Sequence, residues 1–143
     1  IFVLGSCNEA SQDEIDHAKE NMEDAAQIAL DSARAETEAS WGRFKVKSDE
    51  AISKAEMEIE TLNTKVATAT DEKKEELQAS LDEQKAKLEN LKTRLKERNE
   101  ELREEMKEFK ANVSEKSESF KEEFKHDMQS LEEALQDFGE DNK

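Results

Sequence analysis

The 143-residue chain has no proline, no tyrosine, one tryptophan, one cysteine and three glycines. Each shortage excludes something. Without proline, no helix is interrupted by a missing amide donor. Few glycines, scattered β-branched residues and no hairpin dipeptide leave strands without support. A lone cysteine cannot close an internal disulfide. Hydrophobic residues are 34% of the chain, whereas a compact domain is usually about half apolar. A thick globular core is therefore not expected. No run approaches the roughly 20 apolar residues needed to span a bilayer.

What the chain does have is charge. Charged residues make up 42% and the formal net charge is -16. That excludes a basic face for nucleic acid. The charge is uneven. Asn8 to Ser40 holds ten acids and two bases, Lys19 and Arg34, while Trp41 to Lys143 holds 28 acids and 20 bases. The first third is acidic and Ala-rich, and the rest is the mixed-charge surface of exposed helices. The bias toward Ala, Glu, Lys, Leu and Arg favours long helices.

Periodicity divides the chain further. Over 7–40, Ile15, Ala18, Met22, Ala25, Ala26, Ala29 and Ala33 fall at helical spacing. This segment is an acidic tether or helix, with disorder as the alternative. From Trp41, a seam runs Trp41, Ser48, Ile52, Ala55, Ile59, Leu62, Val66 and Ala69, with Lys45 at the intermediate position. Gly42 marks a soft point or a start. A second seam runs Leu77, Leu81, Gln84, Leu88, Leu91, Leu95, Arg98 and Leu102, one residue out of phase with the first. The phase change places a reversal at 68–71, with Thr70 capping the new helix ahead of Asp71 and Glu72. A continuous helix with a phase slip is the alternative, since no Gly or Pro enforces the turn. The expected fold is all-α: an antiparallel coiled-coil hairpin over 41–138 with a C-terminal amphipathic helix and no compact core. A disordered tail over 139–143 follows Gly139.

Beyond Leu102 the steps become four, three, four. Met106, Phe109, Val113, Ser117, Phe120, Phe124, Met128, Leu131 and Leu135 form a stripe with an 11-residue repeat, which predicts a straight or slightly right-handed course. The segment NVSEKSES at 112–119 weakens this helix and is a candidate break. The stripe has two readings. It is core, packed on the hairpin or a second protomer. Or Met106, Phe109, Phe120, Phe124, Met128, Leu131 and Leu135 are an interaction surface for apolar clients or lipid, since aromatic rings offer large apolar area and Met adapts to irregular partners. The surface reading gives the stripe more of the function than the leucine seams. Eleven-residue amphipathic repeats resemble those of apolipoproteins, although a Glu-rich polar face does not attract anionic headgroups.

Little else points to chemistry. Both histidines sit in Glu-x-x-His, as Glu14/His17 and Glu123/His126, the pairing used by di-iron bundles. At 100° per residue, His126 falls roughly 160° from Phe124, on the polar face. No metal or other cofactor is expected. There is no phosphate-binding glycine loop and no nucleophile with a base, so no enzyme is expected.

The opening Ile-Phe-Val-Leu-Gly-Ser-Cys is the most informative short stretch. Its apolar start reads as the tail of a secretion signal over 1–6. Leu4-Gly5-Ser6-Cys7 resembles the lipobox of bacterial lipoproteins. The resemblance implies cleavage before Cys7, acylation of its thiol, and a membrane anchor facing the periplasm or the cell surface. The body resembles a family of small coiled-coil stress-response proteins of cyanobacteria and other bacteria. The residues are WGRFKVKSDEAISKAEMEIETLNTK, LDEQKAKLENLKTRLKE, EEMKEFKANV and FKHDMQSLEEALQDF. That resemblance implies a role in stress tolerance or envelope integrity, with no catalytic residue to transfer. The expected function is a non-catalytic, lipid-anchored envelope protein that self-associates. The alternative is a chaperone-like holdase or apolipoprotein-like module with an unidentified protein or lipid client.

Overall fold

The computed structural model describes the backbone of residues 7–141 and the side chains of residues 16–139. The expected signal remnant at 1–6, the Cys7 side chain and the last residues of the expected tail lie outside these described residues. The described chain is helical. Three long helices, α1 (Cys7–Ala67), α2 (Asp71–Glu105) and α3 (Ala111–Asp141), are joined by short links. A 3-10 turn over Met106–Glu108 belongs to the second link.

The seams explain the packing. Ser48, Ile52, Ala55, Ile59, Leu62 and Val66 are buried on α1, and Leu81, Gln84, Leu88, Leu91, Leu95, Arg98 and Leu102 on α2. Phe109, Val113, Ser117, Phe124, Met128, Leu131, Leu135 and Phe138 complete the core from the third segment. All three helices share one continuous hydrophobic cluster. It is narrow, as a chain with few apolar residues requires, but α3 is built into it rather than appended. The expectation that the chain lacks a compact core is corrected accordingly.

Contacts between helices give their directions. Trp41 of α1 meets Asn99 of α2, and Glu56 of α1 meets Lys92. Residue numbers fall on α2 as they rise on α1. Arg98 with Ser117 and Arg94 with Asp127 show the same reversal between α2 and α3. Ser40 meets Lys121, and Leu62 stands 3.8 Å from the Cβ position of Gly139, so numbers rise together on α1 and α3.

Helix α1 ends at Ala67 and α2 begins at Asp71, so a continuous helix with a phase slip does not describe this region. Thr70 is the N-cap of α2 and has extended backbone, but its side chain makes no capping bond. Its carbonyl accepts from the amides of Lys73 and Lys74 at 3.1 and 2.9 Å, and Asp71 and Glu72 occupy the positive helix end.

Several boundaries differ from expectation. The second break falls at 106–110, and α3 is continuous through 112–119. Ser117 explains why: it is 1% exposed and accepts a hydrogen bond from Arg98, so its weak helix propensity is outweighed by packing. Gly42 is inside a continuous α1 and neither starts nor breaks it. Gly139 lies within α3, which runs on to Asp141, instead of ending it. The 3,4 spacing placed Lys45 at the seam, yet Phe44 is the residue packed against the core there.

Candidate interaction surfaces and the buried polar node

The most distinctive packing is aromatic. Trp41 and Phe44 project from one side of α1, three residues apart and so on one face. Phe120 and Phe124 meet them from α3 by the same rule. Ring centroids lie 5.3 Å apart for Trp41–Phe44, 5.7 Å for Trp41–Phe120 and 5.5 Å for Phe44–Phe124. These are ordinary separations for tilted and edge-on pairs. The indole keeps its polar handle satisfied: Nε1–H of Trp41 donates to Oδ1 of Asn99 at 2.9 Å. Beside the cluster, Lys121 reaches from α3 to Oγ of Ser40 and also pairs with Glu118. The group ties the middle of α1 to the C-terminal part of α2 and the first half of α3.

Below it lies a polar node in an otherwise apolar seam. The Arg98 side chain is 7% exposed and forms ion pairs with Glu101 at 3.2 Å and Glu105 at 3.1 Å. It also donates to Oγ of Ser117 at 3.2 Å. Lys116 approaches Glu105 at 3.4 Å. Partial burial opposes ionisation of Glu105, but the hydrogen bond and charge of Arg98, with Lys116, outweigh it. The Glu105 carboxyl is held below the usual carboxylate range. Farther along α2 and α3, the hydrogen bond from Arg94 at 2.7 Å likewise holds Asp127 below its ordinary range. The node sits where α2 ends and the chain turns into α3. It fixes that corner by satisfying charge, while Nε of Arg98 stays buried without a partner.

The sequence singled out seven residues of the third stripe as an interaction surface, and the structure places them in the bundle. Phe109, Phe124, Met128, Leu131 and Leu135 are buried, and Met106 and Phe120 are half-buried against the same core. The stripe faces α1 and α2, so as an exposed client surface it is corrected. The apolar area that marked it is the area that folding covers.

Of the other candidates, His17 and His126 are 79% and 81% exposed, beside Glu20 and Asp127. Among the described residues, no group of three or more His, Cys, Asp or Glu side chains converges to hold a metal. A groove of about 620 Å³ runs between α1 and α3, lined in part by Lys54, Met57, Lys65 and Glu132. It contains no nucleophile with a base. Among the described residues, no helix is long and apolar enough to cross a membrane.

No protein-family model, curated protein or solved structure matches the chain. Geometry and sequence therefore carry the functional reading. Three contributors escaped the sequence reading. Phe44 was hidden by the seam position assigned to Lys45, although an aromatic three residues after Trp41 was a signal. Asn99 and Glu105 were lost among polar residues, where spacing gives no hint of a buried partner.

Proposed function

We propose that the protein is a non-catalytic, lipid-anchored helical protein of the bacterial envelope that self-associates and serves a structural or stress-response role. In this reading Cys7 carries the lipid. Helices α1 and α2 pair as an antiparallel coiled-coil hairpin completed by α3. The observation that carries it is the motif Leu4-Gly5-Ser6-Cys7 ahead of a helix whose described side chains stay exposed until the bundle begins. Every side chain from Asp16 to Ala29 is exposed, and the bundle begins around Leu30 and Ala33. From residue 7 to residue 30, such a helix spans roughly 35 Å at 1.5 Å per residue. That suits a spacer between an anchored end and a folded body. Several acyl chains, at about 0.8 kcal/mol per buried CH₂, give a durable anchor.

The test is metabolic labelling with a palmitate analogue in a bacterial host. Label is expected on the wild-type protein and absent from Cys7→Ser, with the mature mass beginning at Cys7. Label that survives the substitution rejects the lipoprotein reading. Client binding through the Phe/Met stripe requires the bundle to open, and no observation favours it.

A further inference from the structure

The outer side of α1 carries a second apolar line. Ile28, Ala35, Ala39, Gly42, Val46 and Met57 lie roughly 160° around the helix from the buried seam, at 100° per residue. All are exposed. Three of the four exposed large hydrophobic side chains in the described residues belong to it: Ile28 at 68%, Val46 at 59% and Met57 at 63%. From Ile28 through Ser32 to Val46 the steps alternate four and three, the spacing of a helix-pairing seam. Gly42 lies in its middle, and nothing stands within 4 Å of where a Cβ would be. Glycine inside a helix is less favourable than alanine. The folded single chain offers no contact that requires it.

We propose that this face pairs with the same face of a second copy of the chain, α1 against α1, in opposite directions. The proposal rests on the self-association part of the reading above and names its surface. Charge selects the occupant and the direction. Glu36 and Arg43 flank the line on one side, Glu38 and Lys45 on the other. With Ala39 opposite the partner's Gly42, and Ala35 opposite the partner's Val46, Glu36 faces the partner's Arg43 and Glu38 faces the partner's Lys45. Two-fold symmetry repeats each pair. Among the described residues, Glu36, Glu38 and Arg43 make no ion pair within the chain, and Lys45 pairs only with Asp49 of its own helix at 3.3 Å.

Parallel pairing is worse on two counts. It sets Asp31 beside the partner's Glu36. It also lays two acidic projections along one another, each with seven acids and one base over residues 8–30. Like charges within a Debye length of about 10 Å repel. The opposed arrangement lays residues 14–30 of each projection against residues 51–67 of the partner, which hold only three acids against two bases. The small residues at the centre let the backbones approach closely. In such a pair the two ends at residue 7 lie about 100 Å apart. An anchored pair therefore lies along one bilayer instead of standing on it.

The test uses the full chain carrying Cys7→Ser, followed by sedimentation equilibrium, with circular dichroism to show that helix content is unchanged. Glu36→Lys with Glu38→Lys is expected to weaken dimerisation tenfold or more, and so is Arg43→Glu with Lys45→Glu. An equimolar mixture of the two variants regains the dimer, because every flanking pair in the mixed dimer is then attractive. Direction is read by oxidative crosslinking. Ala35→Cys combined with Val46→Cys links two copies, and Ala35→Cys alone does not. A chain that stays monomeric at all concentrations overturns the self-association reading and this surface together. A dimer indifferent to both charge swaps, or linked through Ala35→Cys alone, overturns the surface or its direction and leaves self-association standing.

Discussion

Two stretches of α1 share one backbone and differ in what surrounds them. Over 41–66 the helix lies in the bundle, and Trp41, Ala55, Leu62 and Val66 are at most 5% exposed. Over 16–29 every side chain is exposed, including Met22 at 72%. Both stretches have apolar residues at helical spacing. What differs is side-chain size and the length of the neighbours. Helix α2 has turned away by Glu105, and α3 begins only at Ala111, so among the described residues neither helix covers α1 over 16–29. Alanine there has little area to offer a partner, at about 25 cal/mol per Å² of apolar surface buried. Periodicity therefore identifies a helix face, and only the size of its residues indicates whether the face is covered.

The comparison breaks most visibly at Phe124, which is 2% exposed and touches the rings of Phe44 and Phe120. Phe124→Ala is expected to cost about 3–5 kcal/mol and to lower the melting temperature of the whole bundle in one cooperative step, read by circular dichroism. An unchanged melt with lost self-association would mean that the ring serves a surface and not the core.

A smaller effect is expected at the polar node. Glu105→Ala removes one of the two carboxylates paired with the buried Arg98 and is expected to cost about 1–3 kcal/mol in chemical denaturation. Replacing the node with Arg98→Leu, Glu105→Leu and Ser117→Ala together is expected to leave stability equal or higher, since apolar replacement of a whole buried ion pair is often neutral or stabilising. Acid tests the same group. The Glu105 carboxyl is held below its ordinary range, so its contribution is fully present above the unfolded glutamate value and is lost as pH falls through the folded one. The melting temperature is expected to drop below about pH 4, and less steeply in Glu105→Gln.

Much of the bundle was legible before any coordinates. Every position of the second seam from Leu81 to Leu102 is buried, because a 3,4 repeat of leucines has one way to leave water. The reversal at 68–70 showed itself as a phase change, even though no residue there enforces a turn. The second break was misplaced because it depends on tertiary contacts. Phe109 has extended backbone yet is buried, whereas Ser117 looks like a breaker until Arg98 reaches it. The reading of the Phe/Met stripe as an exposed surface has the same origin. Amphipathicity identifies apolar area and is silent on whether the chain itself or a partner covers it.

Gly42 tests the outer face with a smaller change. It is exposed within α1, and an added Cβ meets nothing within 4 Å. Gly42→Ala is expected to raise stability by about 0.5–1 kcal/mol, through helix propensity alone. The measurement is denaturant unfolding at concentrations where the chain is monomeric. A loss of stability there would show a contact or strain at this position that the folded chain does not display.

The smallest expected effect is at the projecting end, where it sharpens the contrast most. Met22 and Met128 are the same residue type at helical apolar positions, 72% and 5% exposed respectively. Met128→Ala is expected to cost about 2–5 kcal/mol, as for a buried methionine. Met22→Ala removes a side chain that touches little and adds slightly to helix propensity, so the change in global stability is expected to stay within about 0.5 kcal/mol. Amide hydrogen exchange provides an independent reading. A helix without tertiary partners opens locally, so amides over 16–28 are expected to exchange well before those over 48–66, and Met22→Ala is expected to leave that order unchanged. If Met22→Ala instead destabilised the protein as much as Met128→Ala, or if amides over 16–28 were as protected as the bundle, the projecting stretch would be covered in solution. The apolar line through Ala18, Met22 and Ala25 would then belong to an interface, and the division of α1 into a packed and an unpacked stretch would fail.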